Sequence, residues 1–249
     1  YRIGDLAGRS GEIAAHPLYP AIFWCIFTGA MTKSAQVPAH FWLPGAMAAP
    51  APVSAYLHSA TMVKAGVFIL AILHPVLGGT PEWRFTLLAF GALTMTWGAL
   101  VAMAQTDLKR LLAFTTLSTL GTLTMLLGIE QALAAKAVAV LLLVHALYKG
   151  SLFLVAGALE KTTGTRDVRR LGGLMRTMPG LGVAAVLAAA SMSGLPPFIG
   201  FIAKELVYEL KWETPMVGWP LLACGVVAGA ANIVVALKVG VTPFLGGGA

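Results

Sequence analysis

The amino-acid sequence predicts an all-α polytopic membrane protein, a helix bundle in which two transmembrane helices are broken. Three observations carry that reading. Hydrophobic residues make up 58% of the 249 and charged residues only 11%, with a mean hydropathy of +0.82. Soluble domains carry about 25% charged residues, so this chain has too little polar surface to face water on every side. Second, no charged residue falls between Arg84 and Asp107, Arg110 and Glu130, Arg176 and Lys204, or Glu213 and Lys238. Each run approaches or exceeds the roughly 20 apolar residues that cross the hydrocarbon core as a helix. The alternation of a transmembrane β-strand is absent from them. Third, prolines interrupt two apolar stretches, at Pro38 and at Pro196-Pro197, where the ring removes a helix hydrogen bond and clashes with the preceding turn.

The elements follow in order. Residues 1–16 mix Arg2, Asp5, Arg9 and Glu12 and read as an aqueous loop. A span from about Pro17 to Lys33 ends at Ser34-Ala35-Gln36-Val37-Pro38, and a short helix or re-entrant stretch leads to a loop containing Pro44, Pro50 and Pro52. The next span runs from about Pro52 to Leu73, with His74-Pro75 and Gly78-Gly79 expected to mark a turn. Spans over about Phe85–Gln105, Leu108–Ile129 and Ala132–Leu159 follow. Lys161–Met178, with Arg166, Asp167, Arg169, Arg170 and Arg176, reads as a surface helix or loop. The last two spans are about Pro179–Lys211, interrupted at Ser193-Gly194-Leu195-Pro196-Pro197, and Met216–Val239.

Alternating the loops places Lys109, Arg110, Lys161, Arg166, Arg169, Arg170, Arg176 and Lys238 on one side, and Arg2, Arg9, Arg84, Lys136 and Lys211 on the other. By the positive-inside rule the first side is cytoplasmic. The same rule accounts for the net charge of +7. The basic residues are scattered between apolar spans without a recognition motif, which excludes a nucleic-acid partner. Cys25 and Cys224 sit alone in apolar stretches and read as packing residues. No phosphate loop, nucleophile elbow or metal-ligand spacing is present, so neither an enzyme nor a cofactor is expected.

Lys33, Lys64, Lys149 and Lys204 remain, all within spans. A lysine at mid-membrane costs about 2.5–3.5 kcal/mol on insertion scales, so four cost on the order of 10 kcal/mol. Snorkelling to the interface would explain a lysine near a helix end. Lys204, followed by Glu205 and Glu209, fits that account better than Lys149, which lies mid-span. His145 and Lys149 are four residues apart and share a helix face. At about 7 Å and an effective dielectric near 20, two charges there repel by roughly 2–3 kcal/mol, so a proton on one discourages a proton on the other. His145 alone also fits an ordinary core histidine. His58 and Lys64, six apart, share no helical face and can line one cavity only if their helix is broken or steeply tilted. Lys33 and Lys204 lie beside the two interruptions, and interrupted spans in corresponding halves point to an ion pathway.

Four strings resemble signatures of the antiporter-like subunits of respiratory complex I and Mrp-type cation/proton antiporters. They are Thr32-Lys33-Ser34-Ala35-Gln36-Val37-Pro38-Ala39-His40-Phe41-Trp42-Leu43-Pro44, the run from Pro52 to Gly66 with His58 and Lys64, the run from Asp107 to Ser118, and His145-Ala146-Leu147-Tyr148-Lys149. Thr163-Gly164-Thr165-Arg166-Asp167 and the run from Pro196 to Glu205 look most like the large A-type subunit of the Mrp antiporters.

The resemblance implies a core of two inverted five-helix repeats. The chain is then a single transmembrane domain fragment covering helices seven to thirteen: an aqueous loop (1–16), the end of the first repeat (17–73), and the second repeat (84–239) with a surface loop (161–178). The absence of an initiator methionine and the Gly246–Ala249 ending agree with a piece of something longer. The resemblance also implies a proton relay through Lys33, His58, Lys64, His145, Lys149, Lys204 and Glu205, in the plasma membrane of a prokaryote. Its partners would be other subunits of the complex, the lipid bilayer, protons and Na⁺ or K⁺. The family pairs its first lysine with a glutamate on an earlier helix, which this sequence does not supply, so the fragment is not expected to translocate alone. Two rival readings are a redox-driven pump of the complex I or hydrogenase type, and a scaffold component that has lost transport.

Overall fold

The computed structural model describes residues 3–214 and 217–247. Arg2, placed above with the second group of charges, lies outside them, as do Met216, the expected start of the last span, and Tyr1, Gly248 and Ala249. Among the described residues there is no strand, only an isolated bridge between Asp107 and Asp167.

Residues 1–16, expected as a loop, contain two short helices, α1 (Ile3–Ala7) and α2 (Ser10–Ala14). Neither buries a residue, so the run of charges marks an exposed segment and not an irregular one. The first span is α3 (Tyr19–Lys33), followed after the break by α4 (Trp42–Gly45) and a 3₁₀ turn, Ala46–Ala48. The second combines α5 (Ala51–Ala55), a π-helical turn (Tyr56–Ala60), a 3₁₀ turn (Met62–Lys64) and α6 (Ala65–Leu77). Then come α7 (Pro81–Ala104), α8 (Leu108–Leu127), α9 (Ala132–Thr163), α10 (Pro179–Ser193), α11 (Ile199–Glu213), α12 (Gly218–Ala236), a π-helical turn at Leu237–Val241, and α13 (Thr242–Leu245).

Local chemistry sets the boundaries. Thr80 and Asp107 cap α7 and α8, their side-chain oxygens accepting from the backbone N–H of Trp83 and Arg110. The predicted turn at His74-Pro75 is displaced: α6 carries Pro75 inside it and runs on to Leu77. There the Tyr19 hydroxyl donates to the Leu77 carbonyl at 2.6 Å, satisfying a carbonyl that the helix end leaves free. Gly164 and Gly194, with φ of 71° and 75°, end α9 and α10 in the left-handed conformation.

The core is organised around α8, of which only Arg110 and Thr122 escape burial. Its close neighbour is α7. A methyl group on Gly91 would lie 2.4 Å from the Met125 nitrogen, and one on Gly121 2.3 Å from the Met95 nitrogen, so the two backbones touch through glycine. Without a hydrophobic drive between helices in lipid, such contact is a main source of cohesion. Large apolar side chains such as Trp24, Phe68, Leu93, Leu143 and Trp219 point outward, as a lipid-facing surface requires. Cys224 packs partly against the core, but Cys25 is exposed on α3 and is not the packing residue that its apolar surroundings suggest.

Candidate functional site: a succession of buried amines and imidazoles

Both breaks occur where the sequence places them. At the first, the Val37 N–H donates to Thr94 on α7 at 3.0 Å, and the Trp42 indole donates to the Thr32 carbonyl at 3.0 Å. Ser34 accepts from the Val67 N–H of α6 at 3.0 Å. Side chains thereby satisfy backbone groups that a continuous helix would satisfy itself. Lys33 closes α3 just before this break and is exposed on the surface of the described residues.

At the second break the freed carbonyl of Ser193 accepts from the amine of Lys204 at 2.6 Å. The interruption of α10–α11 therefore creates the partner of its own lysine. A methyl on Gly200 would meet the Ser191 oxygen at 1.8 Å, so only glycine lets the two half-helices approach this closely.

Between the breaks, His58 and Lys64 lie on a segment that leaves α-helical geometry, passing through the π-helical turn and through Thr61 at φ −122°, ψ −86°. That departure allows two residues six apart to turn towards α9 together. His58 is buried with its ring 5.9 Å from that of Phe153. The Lys64 amine donates to the α9 carbonyl of Leu142 at 2.8 Å, less than one turn before His145. His145 is fully buried and neither ring nitrogen has a hydrogen-bond partner among the described residues. One turn further, the buried amine of Lys149 donates to the α8 carbonyl of Leu112 at 3.1 Å and contacts the Thr115 hydroxyl. Lys64, Lys149 and Lys204 thus all rest on backbone carbonyls.

Lys149 and Lys204 face one cavity of about 70 Å³, which Thr115, Thr119, Tyr148 and Tyr208 also line. A cavity of that size has room for water, with polar partners on its walls. Lys204 and Tyr208 also border a wider groove of about 900 Å³ between α11 and α12. Glu205 lines this groove with Glu209 and Glu213 and is exposed. Lys204, Tyr208 and Gly229 thus line both the inner cavity and the open groove.

Loop counting misplaces two lysines. Lys211, expected in an aqueous loop, is 2% exposed and lines the inner cavity beside Lys149 and Lys204. Lys204, Glu205 and Glu209 already end the charge-free run before it, so it reads as one more charge at the span's end. Its spacing of seven from Lys204, two helical turns, is the signal that could place it on the same face. Lys109, also read as a loop charge, is buried and pairs with Glu160 at 2.7 Å, while donating to the Ala49 carbonyl at 3.3 Å. Arg166 joins this network through Asp107 at 3.0 Å and Glu160 at 3.7 Å, binding the start of α8 to the end of α9. Nearby, outside the membrane spans, a side-chain hydrogen bond from Arg169 and its backbone N–H push the Asp167 carboxyl down to about 2. No three His, Cys, Asp or Glu side chains among the described residues come together to hold a metal.

The family described as NADH:quinone oxidoreductase/Mrp antiporter, transmembrane, matches residues 11–230. A relative from Rhizobium meliloti (strain 1021), named as a probable A/B-type subunit of a K(+)/H(+) antiporter, is 48% identical over 217 residues, 87% of this chain and 22% of its own. The A-type subunit of the Na(+)/H(+) antiporter of Alkalihalophilus pseudofirmus is 49% identical over 197 residues, 74% of this chain and 24% of its own. A solved structure of the Mrp complex from Dietzia sp. DQ12-45-1b contains a chain that superposes with a TM-score of 0.84 at 40% identity, over 92% of this chain and 27% of that one. The chain spans about a quarter of the length of the curated relatives it matches.

Proposed function

The chain belongs to the NADH:quinone oxidoreductase/Mrp antiporter family, and on that premise we propose that it is the proton-conducting part of a cation/proton antiporter subunit in the cell membrane. A proton taken up near Lys33 and Lys64 passes by His58, His145 and Lys149 to Lys204, and leaves beside Glu205. A monovalent cation, Na⁺ or K⁺, moves the other way through the assembled complex, and the remaining subunits are the chain's partners. The side bearing Lys109, Arg110, Arg166, Arg169 and Arg170 is cytoplasmic.

The observation that carries this reading is the continuity of the site. The Lys64 amine reaches the α9 turn of His145, Lys149 follows one turn on, and Lys149 and Lys204 share one cavity. Each amine rests on neutral carbonyls, which suit both the charged and the neutral form, whereas a carboxylate partner would hold the proton in place. A proton arriving at one station lowers the affinity of the next through repulsion in a medium that screens poorly. The relatives named as antiporter subunits support cation exchange over a redox-driven pump.

The test uses everted vesicles holding the full-length protein with its partner subunits. A pH gradient is imposed and followed by dye fluorescence while Na⁺ or K⁺ is added without an electron donor. Collapse of the gradient, lost in Lys149→Ala, Lys33→Ala and Lys204→Ala, is the expected result. Silence towards cations with proton uptake on adding an electron donor would assign the protein to the redox-driven pumps. Silence under both conditions would fit the scaffold reading.

A further inference from the structure

We propose that Lys211 is a further proton-carrying residue, a third amine that exchanges protons with Lys149 and Lys204 inside the cavity they share; this rests on the relay reading above. The residue is buried near the end of α11, yet its side chain turns inward to the cavity. Its amine lies 3.6 Å from the Met95 sulfur on α7 and 5.3 Å from the centroid of the Tyr208 ring. A thioether is a weak acceptor and a ring face a modest one, so neither compensates the burial of a permanent ammonium. Among the described residues, no carboxylate lines the cavity.

Space for the amine is made by glycine. A methyl on Gly225 of α12 would lie 2.4 Å from the Lys211 nitrogen. Two turns separate Lys211 from Lys204 on the same face of α11, and Lys149 enters the cavity from α9.

A buried amine without a fixed counter-charge, beside two other amines and with room for water, is suited to holding a proton transiently. The step balances simply. Protonated Lys149 gives H⁺ through a cavity water to neutral Lys211, leaving Lys149 neutral, and Lys211 passes it on to neutral Lys204. Besides these two lysines, the titratable groups facing it are Tyr208 on its own helix and Tyr148 on α9, with Cys224 on α12 beside Gly225.

The experiment measures cation-driven exchange in everted vesicles carrying the complete complex, with assembly checked on native gels. Lys211→Met removes the proton site, and Lys211→Arg keeps a permanent charge that cannot be given up. The proposal expects both to lose at least about tenfold in rate, and Lys211→His to recover exchange with its optimum moved to lower pH, because imidazole titrates near 6.5. Full activity in Lys211→Met overturns the proposal, and so does activity kept in Lys211→Arg but lost in Lys211→Met, which would mean that only a fixed charge is needed. Gly225→Ala displaces the amine without deleting it and meets only the tip of a flexible side chain, so the protein still folds. Severalfold slower exchange there is expected, and an unchanged rate counts against the proposal. Lys204→Ala separates the two levels: if it too exchanges at full rate, the relay reading has failed and not merely the role of Lys211.

Discussion

Thr115→Val is the most economical probe of the relay, because it changes one hydroxyl to a methyl at nearly constant shape. Thr115 is buried on α8, and its hydroxyl lies within hydrogen-bond reach of the helix carbonyls of Leu111 at 3.2 Å and Leu112 at 3.0 Å. With its proton directed there, the oxygen offers a lone pair to the Lys149 amine. After substitution the amine keeps only the Leu112 carbonyl at 3.1 Å. A hydrogen bond to a charged group contributes about 1.5–3 kcal/mol, so the variant disfavours a proton on Lys149 by about 10- to 150-fold. If Lys149 lies on the path, the exchange rate at a fixed pH falls by a comparable factor while the complex assembles normally. Thr116→Val is the matched control. It also loses a hydroxyl bonded to the Leu112 carbonyl, at 2.9 Å, but does not reach the amine. Equal rates in wild type, Thr115→Val and Thr116→Val across the accessible pH range would refute the role given to Lys149.

Gly121→Ala places a methyl against backbone on α7, so the helices must part by about 1 Å, an overpacking that costs about 1–3 kcal/mol. The thermal midpoint of the purified complex should fall, while Gly180→Ala, with nothing within 4 Å, leaves it unchanged. Glu160→Gln leaves the Lys109 charge buried without its counter-charge. Breaking a buried pair costs about 3–5 kcal/mol, which the part-exposure of Glu160 reduces to about 1–3 kcal/mol. Lys109→Met combined with Glu160→Leu should recover most of that loss in the same melting assay. The Asp167 carboxyl is depressed in the folded state, so its contribution to the 164–178 loop is complete above about pH 4 and is lost as pH falls through about 2. Amide hydrogen exchange at Arg169 should lose protection over that window and not above it.

The spans and both breaks are legible in the sequence because they rest on composition and on proline, which act locally. The direction of a side chain is not. A lysine interrupts a hydropathy run whether it leaves the bundle or folds back into it, so Lys109 and Lys211 are assigned to water although both are buried. His58 and Lys64 can be joined only by a departure from helical geometry. Nothing in Tyr56–Ala60 announces a π-helical turn, because its one surplus residue is accommodated by packing against α9. Pro75 misleads in the opposite sense: its ring removes one helix hydrogen bond, that of its own nitrogen to the Ala71 carbonyl, and α6 still runs on two residues to Leu77.

The length of α9 has a consequence of its own. Its 32 residues extend about 48 Å, whereas the hydrocarbon core is about 30 Å thick. The segment from Ala137 to Leu159, between the charges of Lys136 and Glu160, measures about 34 Å and is long enough to span that core with some tilt. Glu160 is anchored at the surface by Lys109 and Arg166, while Lys149 is fixed about 16 Å down the same rod. Packing against α5, α8, α10 and α11 holds the rod along its length as well, so the depth of the central amine is fixed by the bundle together with the ion pair at its end. The surplus length is taken up at the ends that carry Lys136, Glu160 and Lys161, so the depth of this amine is a property of the bundle.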